Sequence, residues 1–229
     1  DRLRRADEDI AQASAAYVEA ARKLSKIRRD AGQKLGAQIE KEIALLGMKK
    51  ARFEVQIETE PFRSDRPEGA KDAGLDAVEF LISPNPGEPP KPLRKIASGG
   101  ELSRIMLALK SVAQDREEAS TLIFDEIDAG IGGKTAECVA QKLKALSARH
   151  QVLCITHLPQ IASFAAHHYT ITKRTEKDRT FTTVRKLGFD QRVEELARLM
   201  SGSLVNETSL ASARDMLRHN LNLPEDRDR

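Results

Sequence analysis

Apolar and small residues recur every seven positions over the first thirty residues. Leu3, Ile10, Tyr17, Leu24 and Ala31 form one series, and Ala6, Ala13, Ala20 and Ile27 follow three positions behind its first four members. These are the a and d positions of a heptad, with alanines making a thin seam. The register then shifts to Leu35, Ile39, Ile43 and Leu46, as an inserted stutter would do. Gly47 fits a helix C-terminal cap. The pattern predicts a helix of about 46 residues, about 70 Å long at 1.5 Å per residue. Such a helix is too long for an ordinary globular domain. Its seam predicts an antiparallel partner segment from upstream, with one long helix packed on its own domain as the alternative, and the start on Asp1, in mid-pattern and without Met, reads as a cut from a longer protein.

Beyond Gly47 the period changes. Residues 51–60 alternate Phe53, Val55 and Ile57 with polar positions, the pattern of a half-exposed strand. Residues 63–74 read as a polar loop and 77–83 as a second strand. Five of the nine prolines fall between Pro84 and Pro92, which predicts an extended connector. A helix is predicted over 101–114 through Leu102, Ile105, Met106 and Leu109. A short strand over 121–124, a helix over 134–147 with Val139, Leu143 and Leu146 inward, and a strand over 151–156 follow. That order implies a parallel βαβ unit and an α/β class. A strand pair over 166–173 and 180–187 around a charged turn, helices over 191–200 and 209–220, and a disordered tail over 224–229 complete the pattern. The predicted division is a coiled-coil helix over 1–47, a globular lobe over 48–223 and the tail.

Composition adds limits. At 229 residues with 40% hydrophobic side chains, the chain can bury one good-sized core. Aromatics are 4% with no Trp, so the core is aliphatic and no stacking surface for single strands is indicated. The net charge of +3 is too balanced to mark a nucleic-acid binder. Residues 1–50 nevertheless carry +4, from 12 basic and 8 acidic side chains, and Arg22, Lys23, Lys26, Arg28 and Arg29 cluster within the long helix. That cluster reads as a solvated helix face, with DNA contact as the alternative. Cys138 and Cys154 make neither a disulfide framework nor a zinc motif, which points to a reduced, cytoplasmic setting. No apolar run approaches the roughly 18 residues of a membrane span.

The chemistry lies in two segments about 25 positions apart. Ala97-Ser98-Gly99-Gly100-Glu101-Leu102 is a small-residue loop opening a helix, where backbone N–H groups and the helix dipole favour phosphate. Thr121-Leu122-Ile123-Phe124-Asp125-Glu126 is an apolar strand ending in two acids, as needed to hold Mg²⁺ and aim a water at phosphate. Either alone is a common loop. At this spacing they resemble the signature motif and the Walker B motif of ABC-type ATPases. Gly130-Ile-Gly-Gly-Lys-Thr135 imitates the end of a P-loop, but the required first glycine, five positions before Gly133, is Asp128. The segment also follows an acidic strand end. No Walker A motif is present in this sequence.

The resemblance narrows with Ser83-Pro-Asn-Pro-Gly-Glu88, the run Pro92–Arg104, Phe124–Gly133 and Thr156-His-Leu-Pro-Gln-Ile-Ala162. Together these look like the RecN family, SMC-like ATPases of bacterial double-strand break repair. The match covers residues 45–205, and the heptad helix agrees with it in kind. The resemblance implies the C-terminal lobe of an ABC-type head, a parallel sheet with flanking helices behind a long coiled-coil helix. It implies that ATP and Mg²⁺ are cofactors. Ser98, Gly99, Gly100 and Glu101 would meet nucleotide held by the opposite protomer. Asp125 would hold Mg²⁺ through water, and Glu126 would polarise the attacking water. Ile127-Asp128-Ala129-Gly130 would be the D-loop crossing a dimer interface, with Asp128 its key position. His157 would be the switch histidine at the γ-phosphate. The implied partners are the protein's own N-terminal half with Walker A, a second head and DNA, and no membrane. The implied location is cytoplasmic and nucleoid-associated. An SMC-type chromosome-organising scaffold is the alternative. Without Walker A, the segment alone is expected to hydrolyse no ATP.

Overall fold

The computed structural model describes residues 2–63, 69–113, 118–176 and 179–224. They form helix α1 (Arg2–Leu45), strands β1 (Arg52–Thr59), β2 (Asp76–Ser83) and β3 (Lys91–Pro92), helix α2 (Gly99–Ala113), strand β4 (Thr121–Phe124), helix α3 (Gly133–Leu146), strand β5 (Gln151–Cys154), the short helix α4 (Pro159–Ala162), strands β6 (Tyr169–Glu176) and β7 (Arg179–Lys186), and helices α5 (Phe189–Ser201) and α6 (Glu207–Leu221). Two compact units result. One holds the chain up to Ala44 with Met48–Ala97, and the other holds Leu45–Gly47 with the chain from Ser98 onward. The break thus falls after Ala97, and the long helix shares a unit with the strands that follow it.

In the first unit, β1 and β2 pair antiparallel from Arg52↔Ser83 to Thr59↔Asp76. Helix α1 lies on this sheet through Ser14, Ala21, Ser25, Gly32, Gly36, Ile39 and Ile43. Most of that stripe is small, and the reason is close approach. A Cβ on Gly32 would stand 3.2 Å from Val55, and one on Gly36 would stand 3.2 Å from the Phe53 carbonyl. Polar clamps hold the helix in place. Ser25 donates to Asp76 Oδ1 at 2.7 Å, Arg28 pairs with Oδ2 at 3.1 Å, and Thr59 donates at 2.8 Å. Burial raises the Asp76 carboxyl, but these three hydrogen bonds outweigh it and its pKa falls below the ordinary carboxylate value.

The heptad stripe is a different face of the same helix. Leu3 is 83% exposed and Ile27 64%, and Ala6, Ala13, Ala20 and Ala31 are exposed too. Within it Tyr17 and Leu24 are half-buried. The Tyr17 ring packs 5.0 Å from Phe62, and Leu24 lies over Gly74. The shifted series is buried as its spacing predicts, with Ile39, Ile43 and Leu46 essentially inaccessible. Gly47 adopts φ 92°, the left-handed cap.

The proline-rich connector is a hairpin rather than an extended run. Ser83 Oγ donates to the Asn85 and Glu88 carbonyls at 2.9 and 2.8 Å, Gly87 takes φ 86°, and β3 returns to pair Lys91 with Ile82. Proline forbids a long ladder, so the return strand is two residues long.

In the second unit β4 and β5 pair in parallel, from Thr121↔Gln151 to Phe124↔Cys154, across the α3 crossover. Helix α3 buries Ala136, Val139, Ala140, Leu143 and Leu146, as its period predicts. Helix α2 buries Ile105, Leu107 and Ala108, while Met106 turns outward. Helices α5 and α6 close a core of Ala162, Val193, Leu196, Ala197, Ala213 and Leu217. Strands β6 and β7 pair antiparallel, and the two residues joining them lie outside the described residues, as do 225–229 of the predicted tail. Among the described residues no helix is long and apolar enough to cross a membrane.

Candidate functional site

Strand β4 delivers the two acids. Its apolar residues alternate between a covered face, where Phe124 is buried, and an open one, where Ile123 is 68% exposed. The parallel neighbour repeats this with Leu153 and Ile155 exposed. The chain leaves β4 at Asp125, whose Oδ1 accepts the Glu126 backbone N–H at 2.9 Å. Glu126 then takes φ 55°. That is the left-handed region, sparsely populated by residues other than glycine, asparagine and aspartate. Both acids remain exposed at the strand end.

The Ser98–Glu101 loop lies against this turn. Ser98 Oγ accepts the Glu101 N–H at a long 3.4 Å, and the Ser98 carbonyl takes the Leu102 N–H at 3.0 Å, so the helix starts here. Close approach accounts for Gly100, whereas the neighbour of Gly99 is the movable end of an exposed side chain. A Cβ on Gly99 would collide with Glu126 Oε2. One on Gly100 would stand 2.8 Å from both the Ala129 Cβ and the Glu126 carbonyl. Ser98 and Gly99 are exposed, so a ligand can reach the N-terminal turn from outside.

Two residues of α2 that no site expectation included also hold the turn. Ser103 Oγ donates to the Asp125 carbonyl at 2.7 Å. The buried Arg104 guanidinium donates to the Ile127 and Ala129 carbonyls at 3.3 and 2.8 Å. Burial lowers the Arg104 pKa, and the Glu101 carboxylate opposes that shift. Both residues lie one turn beyond the loop in sequence, and nothing in their spacing distinguishes them from ordinary polar helix positions.

Asp128 and His157 come together. Asp128 is buried. Its Oδ2 accepts the Thr156 hydroxyl at 2.6 Å and the His157 N–H at 2.9 Å, and lies 3.0 Å from His157 Nδ1. The His157 ring itself is 73% exposed. Cys154, at the end of β5, is held as the thiol. Burial pushes its pKa to about 12, with the charges of Asp128 and Asp125 adding to the effect. Gly130, Gly132 and Gly133 of the P-loop look-alike lead into α3 and have no atom within 4 Å of an added Cβ.

The donor set suits a hard cation. Asp125 keeps Oδ2 free of any intramolecular bond found here, and Glu126 offers a second carboxylate beside it. Among the described residues no group of three or more metal-binding side chains exists. Mg²⁺ takes one or two carboxylates and completes its shell with water and phosphate oxygens, so Asp125 and Glu126 could hold it.

No protein-family model matches the chain. Curated proteins do. A DNA repair protein RecN of Treponema pallidum is 45% identical over 93% of this chain and 37% of its own length. The RecN of Vibrio cholerae is 41% identical over 88% of this chain and 35% of its own, and that of Bacillus subtilis is 40% identical over 88% and 36%. The chain therefore spans little more than a third of the length of these relatives. Among solved structures, an Smc head domain with a coiled coil and joint from Pyrococcus yayanosii overlays with a TM-score of 0.48 at 22% identity, over 73% of this chain and 29% of that one. With identity at this level along nearly its whole length, the chain belongs to the RecN family.

Proposed function

We propose that this chain supplies one half of each composite ATP site in a RecN-type repair ATPase. One observation carries the reading. A glycine loop at a helix N-terminus lies directly against a strand end bearing two exposed carboxylates. The exposed face of β4 and β5 and the exposed heptad stripe of α1 are where the protein's own N-terminal half would pack and bring Walker A. The exposed stripe supports reading residues 1–47 as a coiled-coil segment ahead of a head lobe over 48–223, although the same helix shares a compact unit with β1 and β2. This segment alone then hydrolyses no ATP.

Each residue has a task in this scheme. Ser98, Gly99 and Gly100 offer a hydroxyl and backbone amides to the γ-phosphate of ATP held by a second protomer, with Glu101 in the first helical turn. Asp125 holds Mg²⁺ through water. When bound, the ion neutralises charge on the phosphate oxygens. Glu126 takes the proton of the attacking water, and His157 contacts the γ-phosphate. ATP binding thus joins two heads through the signature loops in trans, and hydrolysis resets them. The cycle acts on DNA at double-strand breaks, in the cytoplasm and at the nucleoid. The role of the relatives in DNA repair favours this over a chromosome scaffold.

Complementation tests the trans arrangement. Ser98→Arg in the full-length protein places bulk and charge between the loop and the opposing phosphate. Mixed with a variant lacking the Walker A lysine, it forms heterodimers in which one composite site carries both defects and the other carries neither. Partial recovery of ATPase is expected. No recovery from demonstrated heterodimers would mean that Ser98 serves its own protomer or that both sites must be intact.

A further inference from the structure

Asp128 is 5% exposed at its side chain and accepts two hydrogen bonds from the end of the following strand. Thr156 donates its hydroxyl at 2.6 Å and His157 its backbone N–H at 2.9 Å, both to Oδ2. The Thr156 oxygen in turn accepts the Leu158 N–H at 3.0 Å. The main chain around Asp128 is equally fixed, because Arg104 holds the carbonyls on either side of it, those of Ile127 and Ala129. The carboxylate therefore cannot swing away without breaking several hydrogen bonds, each worth on the order of 1 kcal/mol or more.

Against this rigid acceptor stands His157 Nδ1, 3.0 Å from Oδ2. An ionised carboxylate only accepts. A bare Nδ1 would set two lone pairs against each other, so the proton between them belongs to the ring nitrogen. We propose that Asp128 is a positioning residue that locks His157 in its Nδ1–H tautomer, within one protomer. The neutral ring then presents a bare Nε2 outward, able to accept a hydrogen bond from water. It donates to phosphate only as the imidazolium, whose charge Asp128 balances. The contact at the γ-phosphate rests on the reading given above, whereas the tautomer does not.

The test uses full-length protein with ¹⁵N-labelled histidine rings, with His157 assigned by its loss in His157→Gln. At a pH where the ring is neutral, the expected spectrum shows a protonated Nδ1 and a bare Nε2. Asp128→Ala, which removes the acceptor facing Nδ1, should abolish this preference. In the same preparation turnover should fall by about 10²-fold or more with ATP affinity nearly kept. Asp128→Glu, which keeps the carboxylate, should recover part of both signals. Thr156→Val should leave the tautomer unchanged. A wild-type His157 protonated at Nε2 would overturn the proposal, and so would a tautomer indifferent to Asp128→Ala. A correct tautomer in a protein that hydrolyses no ATP would uphold the positioning and sink the functional reading instead.

Discussion

The hydroxyl of Ser103 donates to the main-chain carbonyl of Asp125 at 2.7 Å, fastening helix α2 to the end of strand β4. With Arg104 beside it, this bond ties the glycine loop and the acidic turn together. A displacement of the loop is therefore felt at the acids.

Glu126→Gln in the full-length protein should bind ATP and lose turnover by about 10²-fold or more if the carboxylate is the general base. Size-exclusion chromatography with ATP should show the variant accumulating as an engaged dimer. A variant that stays monomeric while wild type engages would remove Glu126 from that role.

Gly100→Ala should fail for packing reasons. Its methyl would stand 2.8 Å from the Ala129 Cβ and from the Glu126 carbonyl, neither of which is a flexible chain end. A loss of about 1–3 kcal/mol in urea unfolding is expected. Gly69→Ala, with no described residue within 4 Å of the added methyl, should stay within about 0.5 kcal/mol of wild type. Equal losses at both positions would contradict the close approach at Gly100.

The two faces of α1 should respond oppositely. Gly36→Val puts branched bulk against the Phe53 carbonyl and should cost about 1–3 kcal/mol. Ile27→Glu, on the exposed stripe, should change the unfolding free energy of this chain by about 0.5 kcal/mol at most. In the full-length protein the same change should be costly where the stripe meets its partner helix.

Asp76→Asn should destabilise by about 1–3 kcal/mol at neutral pH, through its bonds to Ser25, Thr59 and Arg28. The folded-state pKa of Asp76 is lowered, so its contribution is fully present above the unfolded carboxylate value of about 3.9 and is lost as pH falls through the lower folded value. The gap between variant and wild type should therefore narrow in acid. A gap that stays constant from pH 7 to pH 3 would rule out the ionised carboxylate as its source.

Much of this was legible in the residue order. The strand over 121–124, its acidic end and the helix-opening glycines sit where short-range pattern places them, because each is set by local geometry. The two-stripe character of α1 was not legible. Its buried face is built of Ser14, Ser25, Gly32 and Gly36, small residues that a hydrophobic period does not register. The exposed leucines and isoleucines marked the other face instead. The β3 return was hidden by prolines that argue against strand. Arg104 and Ser103 were overlooked because a buried arginine on carbonyls looks, in sequence, like any polar helix residue.

The left-handed backbone of Glu126 has an evolutionary consequence. A glutamate held at φ 55° costs about 1–3 kcal/mol that asparagine would largely avoid. Selection for thermostability alone would favour replacing that side chain, and the variants it rewarded would be the ones deprived of the proposed base. Libraries screened by melting temperature should therefore enrich inactive proteins at this position, so a stability gain there is itself a sign that the residue was kept for work.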